Sequence, residues 1–173
     1  MAGGARMIAA ARAALSRLLV TDAEFIAELQ ALALGSADEV VVPAVLKGNR
    51  RFDQLGQEHY PCWISDKGDA RGASAGNGGG DPDGLVINST QQDWLGDLEV
   101  SLVWHQQDYE RAIDQLDAIT PALTRLLLRH PSLDDTCTLA FVANELNDRS
   151  YRHPTHCIAF VVRVLHTIYR DLP

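Results

Sequence analysis

His153, His156 and Cys157 fall within one five-residue stretch, and imidazole nitrogens and a thiolate are donors that zinc prefers. A structural zinc site takes four ligands, and Cys137 lies in a segment expected to pair with the strand that follows Cys157. The H-x-x-H-C spacing matches no common structural zinc pattern. The same residues therefore also read as a solvated hairpin followed by a core cysteine. A Cys-His nucleophile pair is the other chemistry open to them. However, Cys137 and Cys157 sit in apolar alternations, where thiols are buried and unreactive. No G-x-S-x-G, H-E-x-x-H or kinase signature occurs. The sequence is accordingly read as that of a non-enzyme with no catalytic, cofactor-binding or metal-binding residues.

Two other groups invite a functional reading. Residues 66–84, D-K-G-D-A-R-G-A-S-A-G-N-G-G-G-D-P-D-G, are rich in glycine but lack the G-K-[ST] ending of a phosphate-binding loop and the strand-to-helix setting of a dinucleotide fingerprint. Asp81 and Asp83 resemble part of a calcium loop without the ligand spacing of an EF-hand. This stretch is read as a flexible contact loop. Asp108, Glu110, Asp114 and Asp117 are spaced as a solvated helix face, or as a charged surface turned toward a neighbouring subunit or a channel.

The elements that would position these residues are legible in the apolar pattern. Residues 5–19 combine Ala, Leu and Arg, the strongest helix formers. T-D-A-E from Thr21 reads as a capping box that starts a second helix, with Phe25, Ile26, Leu29, Leu32 and Ala33 on its apolar face and Gly35 as its stop. Residues 39–46 are β-branched but contain Pro43, which suits an edge strand. Residues 60–65 and 85–88 read as short strands flanking the Gly-rich loop, as a hairpin. Leu98, Val100, Leu102 and Trp104 alternate with more polar residues over 97–104, the period of a half-buried strand. Residues 108–129 switch to helical spacing, with Tyr109, Ile113, Leu116, Ile119, Leu123 and Leu127 on one stripe. Thr120-Pro121 predicts a kink or restart within that helix. Residues 137–143 and 158–169 alternate again. They are joined by a polar hairpin loop over 146–156 with Arg149, Arg152 and His153 at its tip. In the last strand both faces are largely apolar, Ile158, Phe160, Val162, Val164 and Ile168 on one and Ala159, Val161 and Leu165 on the other, so it needs cover on both sides. The expected fold is a single α+β domain over 1–173. Its mixed or antiparallel sheet is packed by one long helix plus the N-terminal helices, with a long, flexible Gly-rich hairpin loop at 66–84.

Composition narrows the functional classes. A chain of 173 residues with 46% hydrophobic and 22% charged residues is ordinary for one globular domain. The net charge of −8 argues against gripping a nucleic-acid backbone, which takes clustered Lys and Arg. Cys62, Cys137 and Cys157, odd in number and widely spaced, are read as reduced thiols of a protein made in a cytoplasm. No stretch reaches the roughly 18 apolar residues of a membrane span, and no secretory leader is apparent.

The run D-L-E-V-S-L-V-W-H-Q-Q-D-Y-E-R-A-I-D-Q-L at 97–116, with the strand pair that ends V-V-R-V-L-H-T-I-Y-R at 161–170, resembles the tail terminator and neck (head–tail completion) proteins of tailed bacteriophages. The likeness covers residues 97–170 and is architectural. It consists of a strand, an Asp/Tyr-led helix, and a hairpin that closes on Tyr169 and Arg170. It implies an α+β virion structural protein that assembles as a ring, usually a hexamer, at the head-proximal end of the tail tube. The implied partners are further copies of the chain, the tail tube protein, the sheath and the neck or connector proteins, with DNA passing through the lumen without specific binding. The Gly-rich loop is not a feature such proteins require. The alternatives are a neck or head-completion connector, a small metal-binding protein built on His153, His156, Cys157 and Cys137, or an adaptor outside any virion that uses the 66–84 loop.

Overall fold

A computed structural model of the chain describes residues 2–34, 43–47, 55–65, 69–72, 87, 91–147 and 153–169. Its order is α1 (Ala2–Thr21), α2 (Ala23–Ala31), β1 (Ala44–Lys47), β2 (Cys62–Ser65), β3 (Asp69–Gly72), β4 (Gln91–His105), α3 (Tyr109–Arg129), β5 (Leu139–Asn147) and β6 (Thr155–Tyr169). The strands form one mixed, six-stranded sheet in the order β1-β2-β4-β6-β5, with β3 pairing on β4. All neighbours are antiparallel except β1 and β2, which run parallel. The α+β class and the mixed sheet agree with the pattern of the sequence.

The sheet is built on β4 and β6, two 15-residue strands in unbroken register from Gln91↔Tyr169 to His105↔Thr155. Successive side chains point to opposite faces, so the alternation read from the sequence becomes a sidedness. Leu98, Val100, Leu102 and Trp104 of β4 and Ile158, Phe160, Val162 and Val164 of β6 are buried toward the helices. There they meet Leu15 and Leu19 of α1, Phe25 and Leu29 of α2, and Ile119, Leu123 and Leu126 of α3. Trp63 of β2 lies between Phe25 and Phe160, at ring separations of 6.1 and 6.4 Å.

On the opposite face Leu55, Cys62, Ile64 and Val103 form a small second cluster, with Leu46, Tyr60 and Cys157 packed against it. Nearer β5, the alternate residues Ala159, Val161, Arg163 and Leu165 are only half-buried. The sequence asks for cover on both sides of β6, and the helices supply it on one.

Several local expectations are corrected. The cap of α2 is Asp22, not Thr21: its carboxylate accepts the Phe25 N–H at 2.7 Å, while the Thr21 hydroxyl donates back to the Arg17 carbonyl at 2.9 Å as the last residue of α1. Pro121 neither breaks nor restarts α3, which is continuous from Tyr109 to Arg129. The carbonyl that loses its donor belongs to Asp117, an exposed residue, where solvent can take over. Within the expected loop at 66–84, residues 69–72 instead form β3, because D-A-R-G finds a backbone ladder along Asp97 to Trp94. The remainder of that loop lies outside the described residues, as do Gly35, Asp81, Asp83, Arg149 and Arg152. The expected hairpin between 60–65 and 85–88 is replaced by longer-range pairing: β2 lies between β1 and β4, and Ile87 makes an isolated bridge to Gln92.

Candidate functional site

The histidines of the first candidate site meet at one end of the β4–β6 ladder. His156 points to the helix face and is fully buried, its ring 5.6 Å from that of Trp104. Its Nε2 lies 3.0 Å from the Gln106 carbonyl oxygen, and the exposed His153 places Nε2 2.9 Å from the Gln107 carbonyl. A carbonyl only accepts, so both imidazoles carry their proton on Nε2 and donate. The two rings meet edge to face at 5.7 Å, and Tyr109 lies 6.2 Å from His153. These contacts clamp the hairpin onto the start of α3.

The cysteines do not join them. Cys157 adjoins His156 along β6, so its thiol leaves the opposite face of the sheet and packs in the small cluster with Cys62 and Val103. Cys137 precedes Leu139, which pairs with Leu165; eight residues of β6 separate that level from Cys157, about 27 Å of strand. Burial pushes the thiols of Cys62 and Cys137 up to about 11, so both stay protonated near neutrality. Cys137 does line a small, mainly apolar cavity with Met7, Ile8, Trp94 and His166. Its thiol is directed at the Pro131 carbonyl, 4.0 Å away, rather than at a base. Among the described residues no group of three or more His, Cys, Asp or Glu is arranged to hold a metal ion.

Asp108, Glu110, Asp114 and Asp117 are all exposed on α3. Asp108 is the N-cap, accepting the Arg111 N–H at 3.2 Å, so one of the four has a structural role. The other three leave the outer surface of the helix negative over its first half.

The surface that the sequence does not disclose is the β5 side of the sheet. Leu139, Phe141 and Leu146 are exposed at 43%, 42% and 64%. Leu139, Phe141 and Leu146 pair with Leu165, Arg163 and Ala159 of β6, which places them on the face away from the helices. Arg163 is held there by Asp97, directly across the ladder, through bonds of 2.7 and 3.0 Å. The result is a mixed apolar and ionic surface that ends in an edge strand. Composition alone reveals Leu146 only as one apolar residue within A-N-E-L-N; its exposure follows from where β5 falls in the strand order.

No family model matches the chain, and no curated protein matches it. Among the described residues no helix is long and apolar enough to cross a membrane.

Proposed function

We propose that the chain is a structural virion protein, a phage tail terminator that forms a ring at the head-proximal end of the tail tube and joins it to the neck. The observation that carries this reading is that, among the described residues, helices cover one face of the sheet and the other face is open near β5. Three helices bury one face, while the other ends at β5 with Leu139, Phe141 and Leu146 exposed. A ring subunit buries in its neighbours what it would expose alone. The resemblance of residues 97–170 to terminator and neck proteins points the same way. So does the chemistry of the outer surface. Net charge of −8 and the exposed acids of α3 let DNA move past without being held.

The test is electron microscopy of gold-labelled protein mixed with isolated tails and with DNA-filled heads. Label at one end of the tails is the expected result. Label confined to the head portal would move the assignment to a neck or head-completion protein, and label on neither would overturn the virion reading.

A further inference from the structure

The two edges of the sheet are chemically matched to each other. We infer that β5 of one copy pairs antiparallel with β1 of the next, so that the sheet continues from subunit to subunit; the closure of that chain into a ring rests on the terminator reading above.

Among the described residues, each edge strand has a neighbouring strand on one side only. Ala140 donates its N–H to the Pro131 carbonyl at 2.7 Å, so the 131–137 turn covers the start of β5. Beyond it residues 143–147 are exposed, and among the described residues no strand lies outside them. At the opposite edge β1 has β2 on one side and no described strand on the other. Unpaired strand edges are templates for a further strand.

Strand direction and side-chain facing then select a register. β1 and β2 are parallel, and each later step to β4, β6 and β5 is antiparallel, so β1 and β5 run in opposite senses. A second copy placed edge to edge, with its helices on the same side, therefore meets β5 in the antiparallel sense. On β5, Leu146 is level with Ala159 on the open face and Glu145 with Phe160 on the helix face. On β1, Leu46 is level with Ile64 on the open face and Lys47 with Ser65 on the helix face. Setting Leu146 opposite Leu46 places Glu145 opposite Lys47 and Asn147 opposite Val45. One alignment joins an apolar pair on one face and an ion pair on the other, and a slip of one residue would send each side chain to the wrong face. Glu145 already accepts from the Thr120 hydroxyl through Oε2 at 2.6 Å, which leaves Oε1 for the lysine. The edges differ in sign and sequence, so the contact is heterologous, the type that propagates around a ring.

Cysteine cross-linking tests the pairing, since directly opposed residues bring their Cβ atoms to within about 5.5 Å. Glu145→Cys and Lys47→Cys are made separately, at two exposed positions, and oxidised alone and mixed, with wild type as control for the native thiols. A disulfide-linked dimer in the mixture only is the expected result. Lys47→Glu is expected to weaken association in sedimentation about fivefold per contact, and Glu145→Lys in the same chain to restore it. If wild type associates but the mixture gives no cross-link, the β5–β1 pairing is wrong and the ring reading stands. A cross-link from Glu145→Cys alone would replace the pairing by a two-fold β5–β5 contact. A wild-type chain that stays monomeric at the cross-linking concentration also overturns it, while gold labelling of tails decides the terminator reading separately.

Discussion

Gln115 enters the core from α3 with both ends of its amide committed. Its Oε1 accepts from the Trp104 indole at 2.8 Å, and its Nε2 donates to the Leu32 carbonyl at 2.8 Å. The side chain is 2% exposed, so neither partner has water as a substitute. Gln115→Leu keeps the volume and orphans an indole N–H and a backbone carbonyl. The expected loss is about 2–4 kcal/mol in chemical denaturation, and unchanged stability would mean that Trp104 finds another acceptor. Asp22 performs a similar task with charge. Burial pushes its carboxyl up, but hydrogen bonds from Arg129, the Phe25 backbone and His130, together with the charge of Arg129, bring it down from 3.8 to about 2. The folded value lies below the unfolded one, so this contribution is fully present above about pH 4 and is lost as pH falls through about 2. With allowance for solvent screening it amounts to about 1–2 kcal/mol. Titrating the stability of Asp22→Asn beside wild type should show the two curves converging across that window; parallel curves would exclude Asp22 as their cause. In the sequence Asp22 is visible as part of a capping box. Its tie to Arg129 and His130 is not, because that depends on where the end of α3 comes to rest.

At the scale of elements, α1 reaches the sheet through the absence of a side chain. A Cβ on Gly96 would lie 2.4 Å from Ile8 Cδ1, 2.8 Å from Ile8 Cγ1 and 3.1 Å from Val164 Cγ2. Gly96→Ala is therefore expected to cost about 1–3 kcal/mol by forcing α1 away from β4. The cost should largely vanish in an Ile8→Ala background, and an additive double mutant would show that the two do not press on each other. The same glycine helps explain what could be read in advance. The second half of β4 and α3 were legible because each carries an apolar period that becomes one buried face, and β6 because it is a long, β-branched apolar run. The first half of β4, residues 91–96, was not, because Gln91, Gln92, Asp93 and Gly96 have no apolar period. Their strand conformation comes from the ladder with residues 164–169 of β6. Tyr109 fitted the α3 stripe yet is 53% exposed, since the helix enters the core one turn later, at Ala112. For the candidate site, the sequence brings His153 and His156 together correctly. It cannot separate Cys157 from them until the strand is known to turn that residue to the other face. The β5 edge was hidden for a related reason: a strand's position in the sheet order is set by distant partners.

For the whole molecule, edge strands that pair between copies make stability a matter of concentration. A contact made only by folded chains adds about 0.4 kcal/mol when the partner stands at its dissociation constant and about 2.7 kcal/mol at a hundredfold excess. For a domain of this size each kcal/mol raises the melting temperature by about 2–4 °C, so a hundredfold rise in concentration across that range should lift it by roughly 5 °C or more. Scanning calorimetry over such a dilution series measures the shift directly. Lys47→Glu, weakening the contact about fivefold, should remove about a quarter of that rise while leaving the dilute melting temperature near that of wild type, because Lys47 is exposed at the far edge of the sheet from β5. A loss of stability at every concentration would mean that Lys47 supports the fold of a single chain. A wild-type melting temperature that does not move with concentration would mean that no second copy pairs with this edge over that range.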